Sequence, residues 1–407
     1  MILFEVHFVR EEKTGNNKYL KKMNQSTVLD LIRTTEGMSR KALANRTGLS
    51  ATATGAIVRT LLQGKYIREV GEGESSGGRK PVMLEINPDS YYAFGFDIDV
   101  RFIYTILMDI TGGIRYENKW ENNNGALTPD GAVNQITGIY KTVISKFKLK
   151  KERILGAGIS IPGMIDIKTR KIMLAPNLGW SGVDILDSLK EQLSIPIYLD
   201  NEAMCSASCE NWLGICKGVE DFICINIESG IGAGMFIKGM IYRGYSGSAG
   251  EVGHIPVDEN GPRCKCGNTG CLETIASINA MTARYRNLAD SKGSMKHDEN
   301  NQDFDFENML KSAEDGDESC LKIFKNAAAS LGRAIGYLIN AFNPQQIVLG
   351  KKFPQYAKLV IDDIRETAKK TALAHPARNC SILASSFGEN SSALGAAIIP
   401  IRNLFGR

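Results

Sequence analysis

Residues 225–273 constrain this chain more than any other stretch. They open with Glu228-Ser229-Gly230-Ile231-Gly232-Ala233-Gly234, a glycine-punctuated turn after the apolar run Phe222–Ile227. They pass through Gly247, Gly250 and Glu251-Val252-Gly253-His254, and close on Cys264-Lys265-Cys266-Gly267-Asn268-Thr269-Gly270-Cys271-Leu272-Glu273. Three cysteines so close together, with glycines between them, dictate a tight knuckle, and His254 is near enough to supply a fourth ligand. Cys₃His is a normal closed set for structural zinc. A disulfide with a spare thiol, or inert buried cysteines, would account for the same residues. The clustering of cysteine with histidine favours zinc on His254, Cys264, Cys266 and Cys271.

A chain of 407 residues is long enough for two or three domains with sizeable cores. Its hydrophobic content of 43% lies near the globular average and argues against disorder. No apolar run reaches the roughly 18 residues of a membrane-spanning helix. Residues 1–7 carry Glu5 inside their apolar stretch and lack a small-residue cleavage site, so they make a poor signal peptide. Nine cysteines are an odd number, and those outside the knuckle are scattered singly. That usage fits a reducing cytoplasm rather than a disulfide framework.

Charge is unevenly spread. Residues 1–88 hold 14 Lys+Arg against 9 Asp+Glu, whereas the rest of the chain is close to neutral. A basic N-terminal segment suggests a polyanion there, although a solvated face would carry the same excess. Residues 8–24 read as a polar arm or the start of a first helix. From Ser26, Val28, Leu29, Leu31 and Ile32 mark one helical face, and Gly37 stops it. Ser39 caps a short helix over residues 40–47, Gly48-Leu49-Ser50 turns, and Ser50 caps a third helix. This is a helix-turn-helix pattern.

In that pattern the N-terminal part of the second helix enters a DNA major groove. Ser50, Thr52, Thr54 and Arg59 are the exposed candidates for base edges, with Arg40, Lys41 and Arg46 placed for phosphates. Two strands, residues 66–70 and 82–86, flank a glycine-rich loop and form a wing. Arg79 or Lys80 at its tip can reach a minor groove. A helical dimerisation module with a polar hairpin is the plainer alternative.

Gly-x-Gly-x-Gly, Glu-x-Gly-His and Cys-x-Cys-Gly-x-x-Gly-Cys-x-Glu, in that order, resemble the signature of the ROK family, which groups sugar kinases with sugar-responsive repressors. The likeness runs from about Tyr92 to about Ile398. It implies an actin-like, ribonuclease H-like α/β fold with a sugar in the cleft between two lobes. The expected organisation is a winged helix-turn-helix domain at 1–88, a first lobe at 89–200 to which 391–407 returns, and a second lobe at 201–390. The resemblance further implies sugar contacts from Asn177, Asn201, Glu202, Glu251, His254 and Glu273, and a zinc ion stiffening the loop that carries several of them.

The chain departs from the kinases of that family at three places. Where they carry Asp-x-Gly-Gly-Thr against ATP, this chain has Asp97, Asp99, Val100 and Arg101; a carboxylate repels phosphate and a branched side chain blocks close backbone approach. Lys351 replaces the second glycine after Gly350. At the position of the catalytic Asp stands Glu202, whose extra methylene displaces the carboxylate by more than positioning tolerates cheaply. Glu202 is therefore read as a hydroxyl acceptor, with no catalytic residue assigned.

These readings imply a cytoplasmic, sugar-responsive repressor, a homodimer or dimer of dimers on a double-stranded operator. Xylose is the first inducer implied, because Asn201-Glu202-Ala203 resembles the family's xylose-responsive members more than its glucose kinases; glucose, N-acetylglucosamine or a phosphorylated sugar stay open. The rival functions are an ATP-dependent sugar kinase with a fused DNA-binding domain and a sugar-binding assembly protein.

Overall fold

A computed structural model describes residues 17–73, 80–122, 127–166, 168–292, 297–298 and 301–406. The expectation for Arg79 falls outside the described residues.

The N-terminal unit has three helices, Asn17–Thr34, Arg40–Thr47 and Ala51–Gln63, followed by the strands Ile67–Glu72 and Val82–Ile86. The first helix takes in residues 17–24 of the polar arm, and residues 8–16 lie outside the described residues. Both predicted caps form: Ser39 Oγ accepts from the Ala42 N–H at 3.3 Å and Ser50 Oγ from that of Ala53 at 3.2 Å. Each such cap is worth about 1 kcal/mol. Gly48 ends the second helix at φ 69°, a left-handed conformation that glycine adopts without strain. Val28, Leu29, Ile32, Leu43, Ile57, Val58 and Leu61 fill the small core.

Two five-stranded sheets follow. In the first, the strand order is Ile197–Asn201, Ile154–Ile161, Tyr92–Ile98, Phe102–Asp109, Ile114–Glu121. In the second it is Ser381–Ala384, Gln346–Lys351, Phe222–Ile227, Ile231–Ile237, Met240–Tyr242. Numbered within each lobe, both sheets have the order 5-4-1-2-3, with an antiparallel meander over strands 1 to 3 and parallel pairing of 1 with 4 and 4 with 5. The lobes are a structural duplication that no sequence repeat announced.

Two helices, Glu202–Trp212 and Ser391–Phe405, cross where the lobes meet. Only small residues allow so close a crossing. A Cβ built on Gly395 would lie 1.7 Å from the Cys205 carbonyl oxygen. One on Gly95 or Gly158 would lie 2.0 Å from a backbone oxygen of the second helix. Gly234, from the glycine-rich turn, leaves room for the first helix, since its Cβ would stand 2.3 Å from the Ala203 oxygen. That glycine has a packing role independent of any phosphate. A buried hydroxyl cluster seals the crossing: Ser206 Oγ is 3.1 Å from Ser391 Oγ and 2.9 Å from Ser392 Oγ, and accepts from Asn226 Nδ2 at 3.0 Å.

Residues 289–305, charged and polar in sequence, are not one exposed loop: the helix Ile278–Lys292 extends into them and Gln302–Glu314 begins within them. Asp305 is fully buried because it receives the Arg286 guanidinium at 2.5 Å and the Asp298 N–H at 2.7 Å, which compensates its desolvation.

Candidate functional site

The strand Ile197–Asn201 delivers Asp200, Asn201 and Glu202 to the cleft. Asp200 is held by a two-pronged ion pair with Arg243, Oδ1 to Nη1 at 2.5 Å and Oδ2 to Nη2 at 2.6 Å, which anchors the chain entering the loop before Glu251. Asn201 is already engaged: its Oδ1 accepts from the Ala203 N–H at 2.8 Å as a helix cap, and its Nδ2 donates to the Gly163 carbonyl at 2.9 Å. Glu202 is the first residue of the crossing helix.

The Glu202 carboxyl lies among Lys351, Glu228, Asp97 and Asp99. Burial, outweighing the attraction of Lys351, pushes its pKa up to about 8, with the other carboxylates adding to the rise. A carboxyl held protonated by that rise can donate a hydrogen bond as well as accept one. Burial similarly raises Glu228 to about 7, again against Lys351. Lys351 is the cation of this group. Its Nζ lies 3.2 Å from Asp97 Oδ2, 3.2 Å from the Glu389 carbonyl oxygen and 3.6 Å from Glu228 Oε2. Only 1% of its side chain is exposed. Its standing in place of a glycine was legible in the sequence, but its burial among carboxylates was not.

Lys351 also has φ 59°, in the left-handed region. A side chain there costs about 1 kcal/mol relative to glycine. The hairpin at Asp99 is closed by its own backbone, Asp99 N–H to the Phe102 carbonyl at 2.9 Å, with the Arg101 N–H donating to Asp99 Oδ1 at 3.2 Å.

The knuckle stands beside the glycine-rich turn. His254, Cys264, Cys266 and Cys271 place one ligand atom each within 4.8 Å of one another. Cys264 Sγ is 3.6 Å from His254 Nδ1, and Cys266 Sγ is 3.6 Å from Cys271 Sγ. Donors around a tetrahedral ion with metal–sulfur bonds of about 2.3 Å are spaced by roughly 3.7 Å, so the four residues fit a metal. The Asn268 N–H pulls the Cys266 thiol down to about 7, toward the thiolate a metal needs. Glu273 joins the knuckle to the cleft: its Oε1 is 3.2 Å from Cys264 Sγ and 3.5 Å from His254 Nδ1. Its other oxygen lies 3.5 Å from where a Cβ on Gly230 would be. Burial raises the Glu251 carboxyl, while His254 opposes the rise. Asn177 sits in an exposed turn between the strands Ile172–Ala175 and Trp180–Val183.

In the winged unit Lys41, Thr52 and Arg59 are exposed, and Lys80 stands exposed beside the wing. Arg40 pairs with Glu69 at 2.7 Å and Arg46 donates to Thr35 Oγ1 at 2.8 Å, both at the surface. Ser50 is exposed but committed as a cap. Thr54 was expected to face outward and does not. It is fully buried, because one turn after Ser50 the helix face has rotated onto the core shared with Ile57, Val58 and Leu61.

The winged unit packs against the ends of both crossing helices. The Arg33 guanidinium lies over the Trp212 ring at 3.8 Å and over Phe405 at 5.4 Å. Ser26 Oγ donates to the Leu404 carbonyl at 3.3 Å, and Tyr66 stacks on Tyr91 at 4.5 Å. One crossing helix therefore runs from the cleft carboxyl to the base of the winged unit.

Duplicated lobes hinged on two crossing helices, with carboxylates in the cleft between them, define the actin-like fold of sugar phosphotransferases, here preceded by a winged helix-turn-helix. The chain belongs to the ROK family, which matches residues 93–403. A xylose repressor from Bacillus subtilis (strain 168) is 32% identical over 389 residues, covering 95% of this chain and 97% of its own. The DNA-binding transcriptional dual regulator NagC of Escherichia coli (strain K12) is 26% identical over 95% of this chain and 94% of its own. A ROK family transcriptional regulator homologous to the E. coli MLC protein shares the fold along 95% of this chain and 97% of its own, with a TM-score of 0.82 at 23% identity. A ROK family glucokinase from Streptomyces griseus, in complex with glucose and AMPPNP, matches 75% of this chain and 98% of its own with a TM-score of 0.65 at 26% identity.

Proposed function

We propose that this chain is a sugar-responsive transcriptional repressor of carbohydrate-utilisation genes, with the winged unit reading an operator and the interlobe cleft holding the inducing sugar. The observation that carries this reading is the helix Glu202–Trp212, which begins among the cleft carboxyls and ends beneath Arg33 of the winged unit. Eleven residues span about 16 Å, so a shift at one end is felt at the other as rigid-body motion. To release DNA, sugar must bind the DNA-incompetent arrangement more tightly, since equal affinity shifts nothing.

The division between reader and sensor is set at residue 88, with lobes of 89–200 plus 391–407 and 201–390. Asn177, Asn201, Glu202, Glu251, His254 and Glu273 make up the sugar shell. Xylose is the first inducer to test, on the likeness to the B. subtilis xylose repressor. His254, Cys264, Cys266 and Cys271 would hold zinc, which as a structural ion pins the loop carrying Glu251, His254 and Glu273. With Nδ1 facing the cysteines, the other ring nitrogen is left for a sugar oxygen. Arg40, Lys41, Arg46, Ser50, Thr52, Arg59, Arg79 and Lys80 form the DNA face. The chain acts in the cytoplasm as a homodimer or dimer of dimers; among the described residues no helix is long and apolar enough to cross a membrane.

Phosphotransfer is lost on this reading: Asp99 and Val100 stand at the nucleotide turn and Glu202 replaces an Asp. The rival kinase keeps a carboxyl in the cleft and a glucokinase relative. A panel of pentoses and hexoses scored by thermal shift, followed by an ADP-release assay with the best ligand, separates the two. Stabilisation by a sugar without turnover supports the sensor, and turnover at about 1 s⁻¹ or more supports the kinase.

A further inference from the structure

The buried lysine at the end of the strand Gln346–Lys351 has no part in the reading above. Its ammonium stands where the lobes meet, and the groups that face it come from every element around it. Asp97 is the last residue but one of the first strand of the first lobe, and Asp99 follows in the hairpin. Glu228 follows the equivalent strand of the second lobe, Glu202 opens the crossing helix, and Glu389 precedes the other crossing helix. Asp97 is itself buried and receives the Ser160 hydroxyl at 2.5 Å. A second layer lies nearer the surface: Lys352 pairs with Asp303 at 3.3 Å and with Glu389, Lys119 meets Glu389 at 2.9 Å, and Arg101 meets Asp303 at 3.1 Å. Of these, Lys119–Glu389 and Arg101–Asp303 also join the two lobes.

Carboxylates gathered at the meeting point of two lobes need positive charge, since an uncompensated buried charge is strongly unfavourable. In phosphotransferases of ATP that charge arrives as a metal ion travelling with the nucleotide. Here it is covalently part of the chain, and its backbone adopts the left-handed conformation that favours glycine in order to deliver it. We propose that Lys351 is a built-in replacement for the metal ion: a positioning residue that neutralises Asp97 and Glu228, ties the lobes together without nucleotide, and sets the charge environment of Glu202. The consequence for sensing rests on the repressor reading, but the ionic role does not.

The test uses the full chain and needs no sugar. Thermal unfolding is followed at about pH 6 and about pH 8.5 for wild type, Lys351→Met, Lys351→Arg and Lys351→Gly, each with and without millimolar methylammonium or Mn²⁺. Lys351→Met keeps the apolar stem and loses the charge. Its melting temperature should fall at least about twice as far at the higher pH, where the orphaned carboxyls must ionise, and Lys351→Arg should keep most of the stability. Lys351→Gly relieves the backbone and opens the space, so methylammonium or Mn²⁺ should restore much of its loss while leaving wild type unmoved. A Met variant that folds only at the lower pH is the same result in stronger form. A Met variant as stable as wild type at the higher pH overturns the proposal. So does a Gly variant whose loss is equal at both pH values and insensitive to either cation. Cation rescue alongside a sugar panel with no hit would sink the sensor and leave the built-in cation standing.

Discussion

The guanidinium of Arg33 lies 3.8 Å from the centre of the Trp212 ring, one residue from the first helix of the winged unit and the other from the last turn of the helix that Glu202 begins. Trp212 is buried and also packs on Phe405, the last residue of the other crossing helix, with ring centres 5.7 Å apart. One cation thus touches the ends of both helices that hinge the lobes. A cation over an indole ring contributes about 0.5–2 kcal/mol.

Replacing Arg33 with Leu should therefore leave sugar affinity nearly unchanged and lower the melting temperature slightly. The ratio of operator dissociation constants with and without inducer should contract several-fold, since each 1.4 kcal/mol of lost coupling is worth about a factor of ten. Paired operator titrations read that ratio. A full ratio in the Leu variant would show that coupling runs elsewhere.

The crossing itself should tolerate no added atoms. Gly395→Val would drive a methyl-bearing carbon into the Cys205 carbonyl, and destabilisation of about 3 kcal/mol or more is expected from such overpacking. Urea denaturation gives the value; a loss under about 1 kcal/mol would mean the helices separate freely.

Much of the site was legible because its chemistry is local in sequence. The knuckle and its histidine lie within eighteen positions, and three cysteines and an imidazole in that span have few other uses. Both caps in the winged unit were equally local, each a serine three residues before the N–H it accepts from. What escaped reading is non-local. Lys351 meets Asp97 across 254 positions, and Arg33 reaches Trp212 through tertiary packing alone. Thr54 failed for another reason: a polar residue on a helix face advertises exposure, and only the angle to Ile57, Val58 and Leu61 reveals that it points inward.

The Thr54 hydroxyl is buried with no partner among the described residues. Thr54→Val should keep operator affinity and raise stability by about 1 kcal/mol, because an unsatisfied buried hydroxyl is removed at constant shape. Arg59→Ala should cost about 1–3 kcal/mol of specific binding, and Lys41→Ala should chiefly reduce the slope of log affinity against log salt, by about one. Filter binding over a salt series distinguishes all three.

The raised Glu202 carboxyl gives stability a definite pH slope. Its folded pKa of about 8 exceeds the unfolded value, so the folded state binds more protons between the two. Its contribution is present at low pH and is lost as pH climbs from the usual carboxylate range through about 8. Glu202→Gln cannot ionise, so its melting profile should be flatter across that window and lie above wild type at the alkaline end. Identical profiles for the two proteins would contradict the placement of this carboxyl.

Metal content is checked by elemental analysis of protein purified without added metal. About one zinc per chain is expected, with its loss in Cys266→Ser lowering sugar affinity through the loop that holds Glu251, His254 and Glu273. Full sugar affinity in a zinc-free protein would separate the knuckle from the sugar shell.

The most direct test is operator affinity at fixed salt, measured on the full chain before and after saturation with the sugar that stabilises it best, xylose being tried first. The account predicts a weakening of at least about tenfold, roughly 1.4 kcal/mol of coupling between cleft and winged unit. Unchanged operator affinity with the cleft fully occupied would contradict it.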